Sequence, residues 1–211
     1  MTTLTTSSKP FKVGTIGWTA DDLDDPEIER RWERGRYEIV EGVLTRMPAA
    51  YFEGAFPLGR LQTRIQRHLD AHGPAGDFAP EVDLILNRRR VAVADLIFMT
   101  PEDVRRQREA HARHGRPRPG VRFGRLRVPP TLVIELGSPG HEEHDTETKS
   151  RWYAEAGVPN YWLLRAYRRA LDCLVLEGDA YRVDQAGREN DQVRPSAFPG
   201  LVLSLAELSD V

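Results

Sequence analysis

The sequence predicts an α/β (α+β) protein with a central mixed β-sheet flanked by helices. Three observations carry that expectation. Residues 131–136, Thr-Leu-Val-Ile-Glu-Leu, are a short apolar run between Pro129-Pro130 and Gly137-Ser138-Pro139-Gly140. Such a run reads as a strand buried on both faces. Residues 91–99 form a second apolar run, in which Asp95 is the only charge. Leu58, Leu61, Ile65 and Leu69 recur at helical spacing with Arg60, Arg64 and Arg67 between them, the pattern of an amphipathic helix.

The remaining elements follow in order. Residues 1–17 read as a flexible N-terminal tail, and residues 18–211 as a single domain. Thr19 suits the cap of a short turn, and Pro26 suits the start of a helix that runs to Arg34 and ends at Gly35. Two short β-rich runs in 36–47 meet at Glu41-Gly42, a hairpin turn. The amphipathic helix ends near Gly73-Pro74. Residues 81–86 and 91–99 are strands joined through Asn87, Arg88, Arg89 and Arg90. In the second strand Val93, Asp95 and Ile97 are expected on one face, with Ala94 and Leu96 on the other. Residues 102–128 hold nine arginines against three acids and read as an insertion: a short helix over 102–111, then an arginine-rich loop. A helix is expected over 145–156, with Asp145 as its N-cap and Gly157 as its end. Strands are expected at 161–164, 171–176 and 180–183, with a last edge strand at 201–203.

Composition excludes several classes. A chain of 211 residues, 40% apolar and 29% charged, is long enough for one substantial core. The net charge of -2 says nothing about partners. Cys173 is the only cysteine, so neither an internal disulfide nor a Cys-rich zinc site is available. No apolar run approaches the roughly 20 residues that span a bilayer. The N-terminal residues lack the apolar core of a signal peptide, so a cytoplasmic protein with no membrane partner is expected.

The chemistry rests on isolated charges in apolar runs. An ionised carboxylate in a buried strand is costly unless it is paired, hydrogen-bonded or metal-bound, which singles out Asp95 and Glu135. Lys149 lies about one turn into the following helix. Two acids and a lysine on a mixed sheet are the working set of a metal-dependent phosphodiesterase. Hard oxygen ligands on rigid strands suit Mg²⁺ or Mn²⁺, and a divalent ion removes the repulsion between two converging carboxylates. Glu38, inside its strand, is a further candidate acid, whereas Glu41 is a natural turn residue. Asp83 is a weaker candidate to approach Asp95 across the ladder. His141-Glu-Glu-His144 has its histidines three apart in a loop, which does not fit the helical zinc pattern. Arg88, Arg89 and Arg90, with Arg116 and Arg118 of the arginine-rich loop, are expected to grip a phosphate backbone. Trp152, Tyr153, Tyr161 and Trp162 read as core.

Several motifs together resemble those of the Uma-two family of bacterial endonucleases, within the restriction-endonuclease-like PD-(D/E)XK superfamily. They are Tyr37-Glu-Ile-Val-Glu-Gly42, Val93-Ala-Asp-Leu-Ile97, Pro130-Thr-Leu-Val-Ile-Glu-Leu-Gly-Ser-Pro139, the Asp145 to Lys149 spacing followed by Tyr153, and Gly157-Val-Pro-Asn-Tyr-Trp162. The resemblance implies a restriction-endonuclease-like core and Mg²⁺- or Mn²⁺-dependent hydrolysis of DNA. Asp95 and Glu135 would bind metal, with the carbonyl of Leu136 as a further ligand, and Lys149 would support the attacking water. By analogy a homodimer is expected, since two sites are needed to cut two strands. In the wider superfamily the lysine lies two residues after the second acid, where this chain has Gly137; Lys149 is the match in the Uma-like group. The proline that usually precedes the aspartate is Ala94 here, and the histidine usual near the start of the first amphipathic helix is missing, the nearest being His68. These departures leave a rival reading: a catalytically weakened module on the same fold that binds nucleic acid or a protein partner.

Overall fold

The apolar runs pair into one large sheet. The structure is a computed structural model that describes residues 9–47, 52–114, 124–137 and 144–209. Asp25 caps α1 (Pro26–Trp32), accepting from the Glu27 amide at 2.7 Å, and Pro26 supplies the preset first position. A hairpin of β1 (Tyr37–Val40) and β2 (Val43–Arg46) turns at Glu41 and Gly42, whose φ values are 51° and 82°. Positive φ at both centres is the mirror-image turn that matches strand twist. Next come α2 (Phe52–His72), the long hairpin β3 (Asp77–Asn87) and β4 (Arg90–Met99), then α3 (Pro101–His114). β5 (Leu132–Leu136) is followed by a π-helical turn (His144–Lys149) that leads into α4 (Ser150–Glu155). Gly157, with φ of 78°, stops the helix. β6 (Asn160–Arg165), β7 (Ala170–Glu177) and β8 (Ala180–Arg188) complete the sheet. β9 (Gln192–Val193) and β10 (Leu203–Ser204) pair separately, and α5 (Leu205–Ser209) follows.

Among the described residues the sheet has eight strands, in the order β2-β1-β4-β5-β6-β7-β8, with β3 on β4. β5 and β6 run parallel; the other pairs are antiparallel. This is the mixed sheet flanked by helices that the sequence predicts. On one face Leu61, Ile65 and Leu69 of α2 bury against Leu96, Phe98, Ile134 and Trp162. On the other, Tyr153 of α4 and Val158 cover Ile97, Val133 and Tyr161. A third cluster joins Trp18, Leu23, Ile28 and Trp32 to Ile39, Leu44 and Val91.

Four expectations change. Residues 9–17 are not a loose tail: Ile16 bridges Val43, the Gly14 amide donates to the Leu44 carbonyl, and Phe11 packs edge-on against Trp18 and Tyr37. Residues 1–8 lie outside the described part. The amphipathic repeat that opens at Leu58 belongs to a helix that starts earlier, at Phe52, with Pro57 inside it. The last edge strand shifts to Leu203–Ser204 and pairs with β9 outside the main sheet. Finally, strict alternation fails in β4. Ala92 and Ala94 join the same cluster as Ile97, which a period of two forbids. The break lies where Glu81 faces Asp95, between the pairs Pro80–Leu96 and Val82–Ala94, and Glu81 there has φ of 50°. A distortion of this kind re-aims side chains next to it.

Segment 102–128 also resolves into parts. Its helix runs three residues further than expected, to His114. Residues 115–123 lie outside the described part. The return at 124–130 is tied down by buried Gln107, which accepts from the Arg127 and Val128 amides and donates to the Arg125 carbonyl.

Candidate active site

A strand has two edges, and β3 covers one edge of β4 along its length. β1 and β5 must therefore share the other. β1 pairs there at Val91, and β5 at Leu96, Ile97 and Phe98. Between them, residues 92–95 have no strand partner on that edge. A buried peptide group in such a gap needs another hydrogen-bond partner, and side chains provide it. The Val93 amide donates to Glu38 Oε1 at 3.0 Å, and the Val93 carbonyl accepts from Lys149 Nζ at 3.2 Å. The candidate acids and lysine thus converge where the sheet splits.

Lys149 is the hub. Its ammonium is 3.1 Å from Glu38 Oε1 and 3.2 Å from Glu135 Oε1. Glu38, Glu135 and Lys149 are 0%, 1% and 3% exposed. Tyr153 donates its hydroxyl to Glu135 Oε1 at 2.6 Å. It lies four residues after Lys149, so both project from one side of the π-turn and helix that follow β5. Burial and the neighbouring Glu135 charge push the Tyr153 phenol well above its ordinary value, so it stays a donor. Asp95 lies at the rim of this group. Its Oδ2 accepts from the Leu136 amide at 2.8 Å, and its Oδ1 accepts from Arg36 Nη2 at 2.7 Å. Burial works against the Arg36 charge, but the hydrogen bond and charge of Asp95, with Glu81 and Glu135 beyond, hold it above its ordinary value.

Gly137 leaves little room for a side chain. A Cβ at this position would lie 2.9 Å from Arg165 Cγ. Arg165 is held by an ion pair to Asp172, which also takes Arg188. The position two residues after Glu135, just past the end of β5, is therefore crowded, while the π-turn brings Lys149 to the Glu135 carboxylate.

By sequence, Arg36 has no role, and Tyr153 stands in a motif but not in the site. Tyr153 reads as core, where it does pack, yet its hydroxyl donates to Glu135. Its place four residues after Lys149 was the available signal. Arg36 stands two residues before Glu38, the spacing of one strand face, but just outside the strand. Asp83 turns away from Asp95, accepting from Trp32 Nε1 at 2.7 Å and Arg125 Nε at 3.1 Å. His68 contacts the Pro199 carbonyl and stacks on His72.

The arginines proposed for phosphate contact divide. Arg88 pairs with Asp21 and Arg89 donates to the Glu41 carbonyl, both on the surface. Arg90 is more deeply engaged, with Glu41 at 2.6 Å, an ion pair to Glu155, and its guanidinium 5.4 Å from the Trp152 ring. Arg116, Arg118, Ser138 and His141 lie outside the described residues, as does the Asp145 side chain.

Mg²⁺ and Mn²⁺ need hard oxygen donors. Among the described residues no three acidic, histidine or cysteine side chains are arranged to hold a metal. An ion here would rest on Asp95, Glu135 and the Leu136 carbonyl. The charge balance suits it: Glu38, Asp95 and Glu135 carry three negative charges against two positive ones on Arg36 and Lys149. Arg36 occupies Asp95 Oδ1, and Lys149 and Tyr153 occupy Glu135 Oε1, so an ion would have to displace Arg36 to reach Asp95 Oδ1.

The mixed sheet flanked by helices is the fold of a structure described as a nuclease. A crystal structure from Anabaena variabilis, described as "a putative nuclease belonging to DUF820", superposes with a TM-score of 0.62 at 15% identity, covering 82% of this chain and 89% of that one. The chain belongs to the Uma2 family, described as "Putative restriction endonuclease", whose model matches residues 26–206. No curated protein matches the chain.

Proposed function

We propose that this protein is a metal-dependent endonuclease that hydrolyses phosphodiester bonds in DNA. The observation that carries the reading is the meeting of Glu38, Glu135 and Lys149 beside Asp95 at the unpaired edge of β4. Held by Asp95, Glu135 and the Leu136 carbonyl, Mg²⁺ or Mn²⁺ would polarise the scissile phosphate and acidify the attacking water. The chain's own groups do the rest. Tyr153 and Lys149 fix the Glu135 carboxylate in one rotamer. Glu38 anchors the Lys149 ammonium against the strand edge, from where its charge holds the Glu135 carboxylate in place. Arg88 and Arg89, on the exposed turn beside β1, would contact the phosphate backbone, and a homodimer would present two sites to two strands.

The test is nicking of supercoiled plasmid DNA with Mg²⁺ or Mn²⁺. Wild-type protein is expected to nick, and Glu135→Gln to lose at least about 100-fold, the scale of one electrostatic stabiliser. No nicking with either metal overturns the reading. One observation favours a second reading, a nucleic-acid-binding module that does not cut: Arg36 already neutralises Asp95. Salt-sensitive DNA binding that survives Glu135→Gln, without nicking, would support it.

A further inference from the structure

We infer that Arg36 is a resident counter-cation of Asp95 that a divalent ion must displace, so that Arg36 sets the affinity of the site for metal. This rests on the metal-dependent reading above. Arg36 Nη2 sits 2.7 Å from Asp95 Oδ1, the carboxylate oxygen left over after Oδ2 takes the Leu136 amide. A guanidinium and a divalent ion cannot share that oxygen in the same place.

Arg36 is also held in a way that lets it leave. Its Nε is buried without a hydrogen-bond acceptor, which costs free energy in its present position. Glu81 Oε1, at 3.8 Å, is too far to accept it, yet Glu81 is largely exposed and stands on a left-handed backbone directly across from Asp95. Arg36 and Glu81 line a cavity of about 390 Å³, with Asp83 and Arg125 on its walls. A guanidinium released from Asp95 therefore has a carboxylate and open space beside it. Lys149, in contrast, is enclosed between Glu38, Glu135 and the Val93 carbonyl. Of the two cations at the site, Arg36 is the exchangeable one.

The probe is Mn²⁺ alone, titrated calorimetrically into the full chain at fixed ionic strength. Arg36→Gln is expected to bind Mn²⁺ about tenfold more tightly than wild type, equivalent to about 1.4 kcal/mol. Arg36→Lys, which keeps the charge but loses the planar fork, is expected between them. Asp95→Asn should bind at least about tenfold more weakly than wild type. Melting curves without metal confirm that each variant is folded; if Arg36→Gln is not, Arg36→Lys against wild type decides alone. Unchanged or weaker Mn²⁺ binding in the folded Arg36 variants, with binding still lost in Asp95→Asn, overturns the role of Arg36 and spares the metal site. Absence of Mn²⁺ binding in every chain overturns both.

Discussion

At the scale of single residues, the site is a balance of buried charges in which each group is held by at least one other. Removing Lys149 leaves Glu38 and Glu135 facing each other without their shared cation. Lys149→Met is expected to destabilise the fold by about 3–5 kcal/mol in urea denaturation, the usual cost of breaking a buried pair from one side. Pairing it with Glu38→Gln should recover part of that loss, as a double-mutant cycle would show. Tyr153→Phe removes one bond to a charged acceptor, worth about 1.5–3 kcal/mol, while the ring keeps its packing on Tyr161. It is expected to melt several degrees lower and to nick DNA more slowly, because Glu135 gains rotamer freedom. Asp95, Glu135 and Glu38 stand out in the sequence because a charge inside an apolar strand demands an explanation, whereas Lys149, in a polar stretch, is singled out by its place after the second strand and by the resemblance. Arg36 does not stand out, because an arginine in a polar connection is ordinary until the fold sets it on Asp95. Tyr153 was hidden by its own burial.

At the scale of elements, the long amphipathic helix, the hairpins and the order of β5, α4 and β6 follow from periodicity and from Gly and Pro punctuation, although the helix expected over 145–156 opens as a π-turn at His144–Lys149 and not at an Asp145 cap. Two features do not. Alternation could not reveal the break at Glu81 and Asp95, since it depends on how β3 and β4 bend together. Nor could the composition of residues 9–17 show that Phe11 would find Trp18 and Tyr37. The start of α3 offers a test of its own. Thr100 and Asp103 cap it reciprocally, and the Asp103 carboxylate also accepts from the Thr131 amide and hydroxyl, joining α3 to the chain entering β5. Burial opposes the Asp103 charge, but hydrogen bonds from Thr131, Thr100 and Arg106 outweigh it and hold the carboxyl below its ordinary value. A depressed carboxyl stabilises the fold above its unfolded pKa, and that stabilisation fades as pH falls through the folded one. The advantage of wild type over Asp103→Asn, about 1–3 kcal/mol at neutral pH, is therefore expected to hold down to about pH 5 and shrink below about pH 4. Urea midpoints across that range check it. At Gly137 an added methyl meets Arg165. Gly137→Ala is expected to cost about 1–3 kcal/mol as overpacking, relieved when Arg165→Ala is made with it.

At the scale of the molecule, the split in the sheet is what makes a site. β1 and β5 share one edge of β4 without meeting, and the gap between them collects the charged side chains that a continuous ladder would exclude. No sequence pattern marks this gap directly; it follows from the resemblance of several motifs and from the unexplained carboxylates together. Among the described residues no helix is long and apolar enough to cross a membrane. The central claim is that Asp95 and Glu135 form one cation site at this gap. The most direct measurement is an anomalous difference map from crystals soaked in Mn²⁺. The expected result is a single peak between the Asp95 and Glu135 carboxylates, near the Leu136 carbonyl, with Arg36 turned toward Glu81. A map with no peak there, and Arg36 still on Asp95 at saturating Mn²⁺, would contradict it.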